Sequence, residues 1–318
     1  MIWDAVVVGA GPAGLSAGFY LSRAGFRTLC LEKERAGGQA SHLPRISNYP
    51  GFPKGVGGAA LMKRFLEQAL KYGLKTRKAS VRRVEAGRTQ TMLLTDRGTV
   101  RSRAVILATG SRFLPLGLPG ESRFYGRGLH HAVFDRARRF SGRVVGVIGG
   151  GETAAHQALA LARHARKVLL FCRSGSLKAI APLREGVARH PRIELFGGVS
   201  ARRLLGNGRL SAVEFASADS RRGVPVRLDA LFVLAGKEAA APPVRVRCGG
   251  EKAVFTAGEA RGGCKRQVVA AAADGLSRAM DCERYLQETP AALTPRRQSF
   301  RRRGGFRGLR GRCLSGGR

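Results

Sequence analysis

The chain has 318 residues, 44% of them hydrophobic, and a formal net charge of +36. That length holds two domains of ordinary size, that apolar fraction excludes a disordered chain, and no apolar run approaches the ~20 residues of a membrane helix. The six cysteines (Cys30, Cys172, Cys248, Cys264, Cys282 and Cys313) contain no C-x-x-C spacing, which argues against a disulfide framework and against structural zinc, and no metal is expected.

The opening "MIWDAVVVGAG" runs straight into a strand, without the basic region and cleavage site of a signal peptide, so a cytoplasmic location is expected. Residues 4–34 read as strand, glycine turn, apolar-faced helix and strand, a βαβ unit. Residues 57–72 read as an amphipathic helix, 76–84 and 91–100 as antiparallel strands, and 104–110 as a buried strand ending in a turn at Gly110. A second βαβ unit spans "RVVGVIGGGETAAHQALALARHARKVLLFCR". Residues 193–234 alternate like strands; "AVFTAGEARGG" is a buried strand and turn; the segment from Lys265 to Leu286 is a helix. Beyond Glu288 the composition turns to Pro, Arg and Gly, without apolar periodicity, and predicts disorder. Nine arginines and no acid from Ala291 to Arg318 supply part of the charge, a composition that suits weak contact with nucleic acid.

Two strand–G-x-G-x-x-G/A–helix units in one chain point to two dinucleotides. In the first, Gly9 allows the tight turn, Gly11 lets the backbone approach a pyrophosphate, and Gly14 lets the helix pack close to the strand. Glu32, at the end of the next strand, is placed to accept from ribose hydroxyls and repel a 2′-phosphate. In the second, Gly149 and Gly151 play the same parts, with Ala154 third. Arg173 stands where the acid would be, with Lys178 nearby, and this favours NADPH over NADH.

The segments "GAGPAG", "GGQASHLPRISNYPGFP", "ATGSRFLPLGLPGE", "VIGGGETAA" and "FTAGEARGGCKRQVVAAA" resemble, in order and spacing, the low-molecular-weight thioredoxin reductases, class II pyridine nucleotide-disulfide oxidoreductases. The resemblance covers roughly residues 3–285. It implies an α/β fold of two Rossmann-like domains, each a three-layer ββα arrangement. The FAD domain would be formed by residues 1–114 and 236–287, with an NAD(P)H domain, 115–235, inserted and a tail at 288–318. A homodimer and hydride transfer from NADPH to FAD are implied as well. Carried over residue by residue, Gly9, Gly11, Gly14, Glu32, Gly38, Gln39, Asn48, Gly110, Gly258, Glu259, Arg266 and Gln267 fall on FAD positions. Gly149, Gly151, Glu152, Thr153 and Arg173 fall on NADPH positions.

Three departures stand out against that pattern. Glu259 replaces an aspartate; the segment between residues 236 and 253 is short, which puts part of the FAD-domain sheet in doubt; and the redox-active C-x-x-C is gone, its two positions falling on Ala132 and Asp135. A disulfide reductase needs one thiol to receive electrons from the flavin and a second to close the disulfide. His130 and His131, just before the lost cysteines, are candidate proton donors or acceptor contacts. Asp135 is a candidate for tuning the flavin by charge, and Cys264 for a single reactive thiol. The expected function is an FAD-dependent NAD(P)H oxidoreductase with an external acceptor; an acidic one-electron carrier such as ferredoxin or flavodoxin would suit the basic surface. A thioredoxin-disulfide reductase is the enzymatic alternative, and a non-catalytic flavin-binding sensor or nucleic-acid-contacting module is the alternative of another class.

Overall fold

The computed structural model describes residues 1–87, 90–131, 134–217, 220, 222–247 and 249–289, the side chains of 134–136 apart. The tail from residue 290, Ala132, Cys248, Cys313 and the side chain of Asp135 lie outside the described residues. The first unit is β1 (Ile2–Val8), α1 (Pro12–Arg23) and β2 (Thr28–Glu32). There follow α2 (Gly58–Lys71), β3 (Lys75–Lys78), β4 (Val81–Ala86), β5 (Thr91–Thr95), β6 (Gly98–Leu107) and β7 (Ser111–Phe113). Next come β8 (Leu129–His130), β9 (Val144–Ile148), α3 (Glu152–Ala162), β10 (Lys167–Cys172), α4 (Ala181–Arg189) and β11 (Ile193–Gly197). The chain continues through β12 (Val199–Leu205), β13 (Ala212–Ser217), β14 (Val224–Arg227) and β15 (Ala230–Val233), then β16 (Lys237–Ala239), β17 (Val244–Val246), β18 (Val254–Thr256) and α5 (Val268–Glu288).

An eight-stranded sheet has the order β17-β4-β5-β6-β1-β2-β3, with β18 parallel to the far end of β6. Side chains alternate across it as a pleat requires. Ala5 and Val7 face the cluster formed with α1 and α5, whereas Val6 and Val8 face one shared with Val84 and Leu93 of the meander. The long β6 belongs to both the parallel sheet and the meander, so helices, parallel sheet and meander stack as three layers. The second sheet, all parallel, runs β11-β10-β9-β15-β8. Val145 and Val147 pack on α3 and α4 through Ala154, Leu161 and Leu183. On its other face Phe171 and Leu231 pack on Val213 and Phe215 of the antiparallel β12–β14 sheet. The α/β fold of two Rossmann-like, three-layer units is the one the sequence predicts. The chain crosses between the two sheets through β7 and returns through β16. These two strands pair antiparallel, Ser111 with Ala239 and Phe113 with Lys237.

Local differences from the sequence reading have simple causes. The predicted strand 76–84 is two strands. β3 adds parallel to β2 with its four side chains exposed, and the chain turns at Ala79–Ser80, whose amides bond Glu32 O and Asp96 Oδ1, before β4 starts the meander. Residues 98–107 form one strand rather than parts of two. Helix α4 escaped the periodicity reading because it buries only Leu183 and Val187, too narrow a stripe. The short segment 237–252 does not leave the first sheet incomplete: β17 pairs with β4 and extends it.

Helix α1 is gripped by backbone. A Cβ on Gly14 would lie 1.8 Å from Gly9 O, and one on Gly275 of α5 would lie 2.1 Å from Ala13 O. Arg103 ties the C-terminus of α5 to the sheet, donating to Leu286 O and pairing with Asp4 at 3.3 Å. Gly275→Ala is therefore expected to lower stability by about 1–3 kcal/mol despite alanine's better helix propensity. Ala273→Gly, on the exposed side of the same helix, is expected to cost only about 0.5–1 kcal/mol. Urea unfolding followed by circular dichroism checks the order, and a Gly275→Ala midpoint at or above that of the parent chain refutes the close-packing account.

Candidate functional site

The first glycine turn is built as its spacing demands. Gly9 adopts φ +101°, where a Cβ would press Ala108 O at 2.4 Å. Open space lies beside Gly11, the residue capping α1, and no side chain caps that helix. Glu32 ends β2 at the lip of the turn, its carboxylate accepting from Ala10 N (2.8 Å) and Glu34 N (3.0 Å). Gly38 packs against Gly11, with room for a Cβ only at 3.1 Å from its Cα. This open, glycine-walled helix N-terminus with a carboxylate at its rim fits a dinucleotide pyrophosphate and ribose.

Five distant segments meet beyond the turn. Gln39 donates through Nε2 to Ser111 O (2.6 Å) and accepts from Lys237 Nζ at Oε1 (2.6 Å). The Ser111 hydroxyl donates to the Glu259 carboxylate. Asn48 Nδ2 donates to Gln267 Oε1 (2.8 Å), and Arg266 Nη2 to Lys237 O (3.0 Å). Asp274 of α5 accepts from Gly258 N (2.7 Å) and fixes the turn that carries Glu259. Gly110, at φ +70°, precedes Ser111 with open space beside it. A cleft of about 560 Å³ is lined by Ser111, Lys237, Glu259, Cys264 and Arg266, among others. Its size and mixed polar lining fit part of a flavin nucleotide.

The second turn repeats the first. A Cβ on Gly149 would meet Leu234 O at 2.7 Å, and open space lies beside Gly151, which caps α3. Glu152 and Thr153 open the helix. Arg173 follows β10 directly and is exposed. Lys178 N donates to Gly150 O (2.6 Å), so the loop carrying both cations folds back beside the turn.

The candidate catalytic residues separate. His130 packs between the rings of Phe140 and Phe232. His131 sits between Phe113 and Tyr125, its Nδ1 3.4 Å from Val233 O. Neither lines the cleft; Cys264 does. Its thiol is raised by burial and by the charges of Asp274 and Glu259, with Arg261 opposing. That is the reverse of what activates a thiol. Cys30 and Cys282 are core residues pushed up to about 12, chiefly by burial. Sequence reasoning missed Ser111, Lys237, Asp274 and Gly275. Only the polar pair Asp274-Gly275 inside an alanine-rich helix carried a signal.

Fold and turns together define a dinucleotide-binding α/β oxidoreductase. The chain belongs to the pyridine nucleotide-disulphide oxidoreductase family, whose model matches residues 3–259, and within it is thioredoxin reductase-like. It is 33% identical over 310 residues to thioredoxin reductase of Pneumocystis jirovecii, a match covering 89% of this chain and 95% of that one. It is 27% identical over 309 residues to that of Bacillus subtilis, covering 92% and 97%. Among solved structures it resembles Lactococcus lactis thioredoxin reductase in the FR conformation (TM-score 0.83, 22% identity, 90% of this chain and 99% of that one). It also resembles that of T. acidophilum (TM-score 0.81, 25% identity, 89% and 98%). The bacillithiol disulfide reductase of Staphylococcus aureus shares the fold (TM-score 0.75, 16% identity, 91% and 100%). Membership implies FAD and NAD(P)H as cofactors.

Among the described residues no helix is long and apolar enough to cross a membrane. Alkylation of Cys264 by iodoacetamide at pH 8 is expected to be slower than that of a free cysteine. Glu259→Gln, which removes one of the carboxylates raising its pKa, is expected to speed it roughly two- to fivefold. Peptide-resolved mass spectrometry reads the rate, and a slower variant contradicts the electrostatic assignment.

Proposed function

We propose that the chain is an FAD-dependent NAD(P)H oxidoreductase that takes hydride from NADPH and delivers electrons to an external acceptor without an internal dithiol. The observation that carries this reading is the pairing of two fully formed dinucleotide turns with the absence of C-x-x-C from the sequence. A module holding FAD for structure alone has no use for the second turn. In this reading residues 1–114 and 236–287 hold FAD, residues 115–235 hold NADPH, and the enzyme works as a homodimer.

The flavin, when bound, accepts hydride from the nicotinamide and releases electrons onward. The chain's residues position and neutralise. Gly11 and the N-terminus of α1 take the FAD pyrophosphate, and Glu32 the ribose. Glu259, steadied by Ser111, takes the flavin's sugar chain, and Gln39 borders the ring. Gly151 and the N-terminus of α3 take the NADPH pyrophosphate, and Arg173 with Lys178 the 2′-phosphate. The relatives compared above are named for thioredoxin or for bacillithiol disulfide. An external disulfide therefore stands beside an acidic carrier such as ferredoxin or flavodoxin as acceptor.

Anaerobic titration of the purified protein with NADPH is expected to bleach the visible flavin band, with NADH less effective; bound flavin that neither nucleotide reduces refutes the enzyme reading. Arg173→Ser is expected to raise the NADPH KM about tenfold or more and leave the NADH KM within a factor of two, with kcat nearly constant. Steady-state kinetics with an artificial acceptor measure the effect, and an equal change for both nucleotides contradicts a 2′-phosphate contact.

A further inference from the structure

Lys237 belongs to no motif, yet it occupies the centre of the cleft's polar network. It opens β16, on the return crossing between the sheets. Its Nζ donates to Gln39 Oε1 at 2.6 Å and lies 4.7 Å from the ring centroid of Phe113. The hydrogen bond thus goes to a neutral amide, and Glu259 acts on the ammonium through its field. Burial lowers the pKa of this lysine, Glu259 opposes the shift, and Arg266 adds to it. The other cations lining the cleft, Lys265 and Arg266, are exposed and screened by solvent, whereas Lys237 is half-buried. A partly desolvated cation acts most strongly on charge that appears beside it.

We propose that Lys237 raises the reduction potential of the flavin held in this cleft, favouring the reduced ring over the oxidised one; this rests on the flavin-binding reading above. Hydride from a nicotinamide brings two electrons and one proton, so one net negative charge develops on the ring, and the ammonium stabilises that charge. The rest of the network orients the lysine. Gln39 holds Nζ, the Phe113 ring faces the same ammonium, and Arg266 holds the carbonyl of the same residue.

The test compares the FAD-loaded parent chain with Lys237→Met and Lys237→Arg by dye-equilibrated anaerobic reduction, which reads the flavin midpoint potential. Lys237→Met is expected to lose roughly tenfold in preference for reduced over oxidised flavin, about 30 mV lower for the two-electron couple. Lys237→Arg, which keeps the charge, is expected to stay within threefold of the parent. Affinity for sulfite, whose flavin adduct is also anionic, is expected to fall in parallel for Lys237→Met alone. Loss of thermal stability with an unmoved potential would mean a purely structural lysine and overturn the proposal, as would equal loss of potential in both variants. If the parent chain binds FAD and Lys237→Met leaves the potential unmoved, this proposal alone fails. If the parent chain binds no FAD, the reading beneath it fails too.

Discussion

Backbone pressed against backbone around the first helix is the constraint on which the rest of the molecule depends. A Cβ at Gly14 or Gly275 would lie 1.8 or 2.1 Å from a carbonyl oxygen, distances no side chain tolerates. Because α1 can therefore touch both the turn of β1 and the flank of α5, its N-terminus is aimed across the end of the parallel sheet. The same approach brings Asp274, next to Gly275, within reach of Gly258 N, and so delivers Glu259 to the cleft from the far end of the chain. The geometry of the turn and of the cleft is a by-product of how closely two helices pack.

That dependence explains what the sequence revealed. The glycine turns were legible because each role is local: a positive φ at Gly9, a close approach at Gly14, an open face at Gly11. The three-layer arrangement was legible because buried strands and an apolar-faced helix recur in order. The polar network was not, because Gln39, Ser111, Lys237, Glu259 and Arg266 are brought together from across more than two hundred residues by tertiary contacts. Nothing about Lys237 in "LAGKEAA" distinguishes it from a solvated lysine. β3 was misread for a related reason. "KTRK" has no apolar side and owes its strand to the hydrogen bonds β2 offers, not to its own pattern.

The sulfur chemistry of the chain points one way. All four cysteines among the described residues have thiols raised above their ordinary value, in each case chiefly by burial. A raised thiol is a poor nucleophile at neutral pH and a poor partner in thiol–disulfide exchange. The sequence holds no C-x-x-C, and among the described residues no cysteine has the electropositive surroundings that would activate it. Cys264 comes nearest, lining the cleft, but two carboxylates act against its ionisation and one arginine for it.

Two features that look independent along the chain, the segment after residue 236 and Glu259, are one arrangement in space. The short segment after residue 236 begins at Lys237, whose strand pairs with Ser111–Phe113. Glu259 accepts its hydrogen bond from that same Ser111. An aspartate at 259 would end about 1.5 Å sooner, one carbon–carbon bond, and would reach Ser111 only if the loop moved. The longer carboxylate lets the crossing strands, the Gly258–Glu259 turn and the Gln39 loop interlock without that movement. It also sets an anion against the half-buried ammonium of Lys237, opposing the effect of Arg266 on the same group. The length of the Glu259 side chain is thus matched to Ser111 and Lys237 across the cleft.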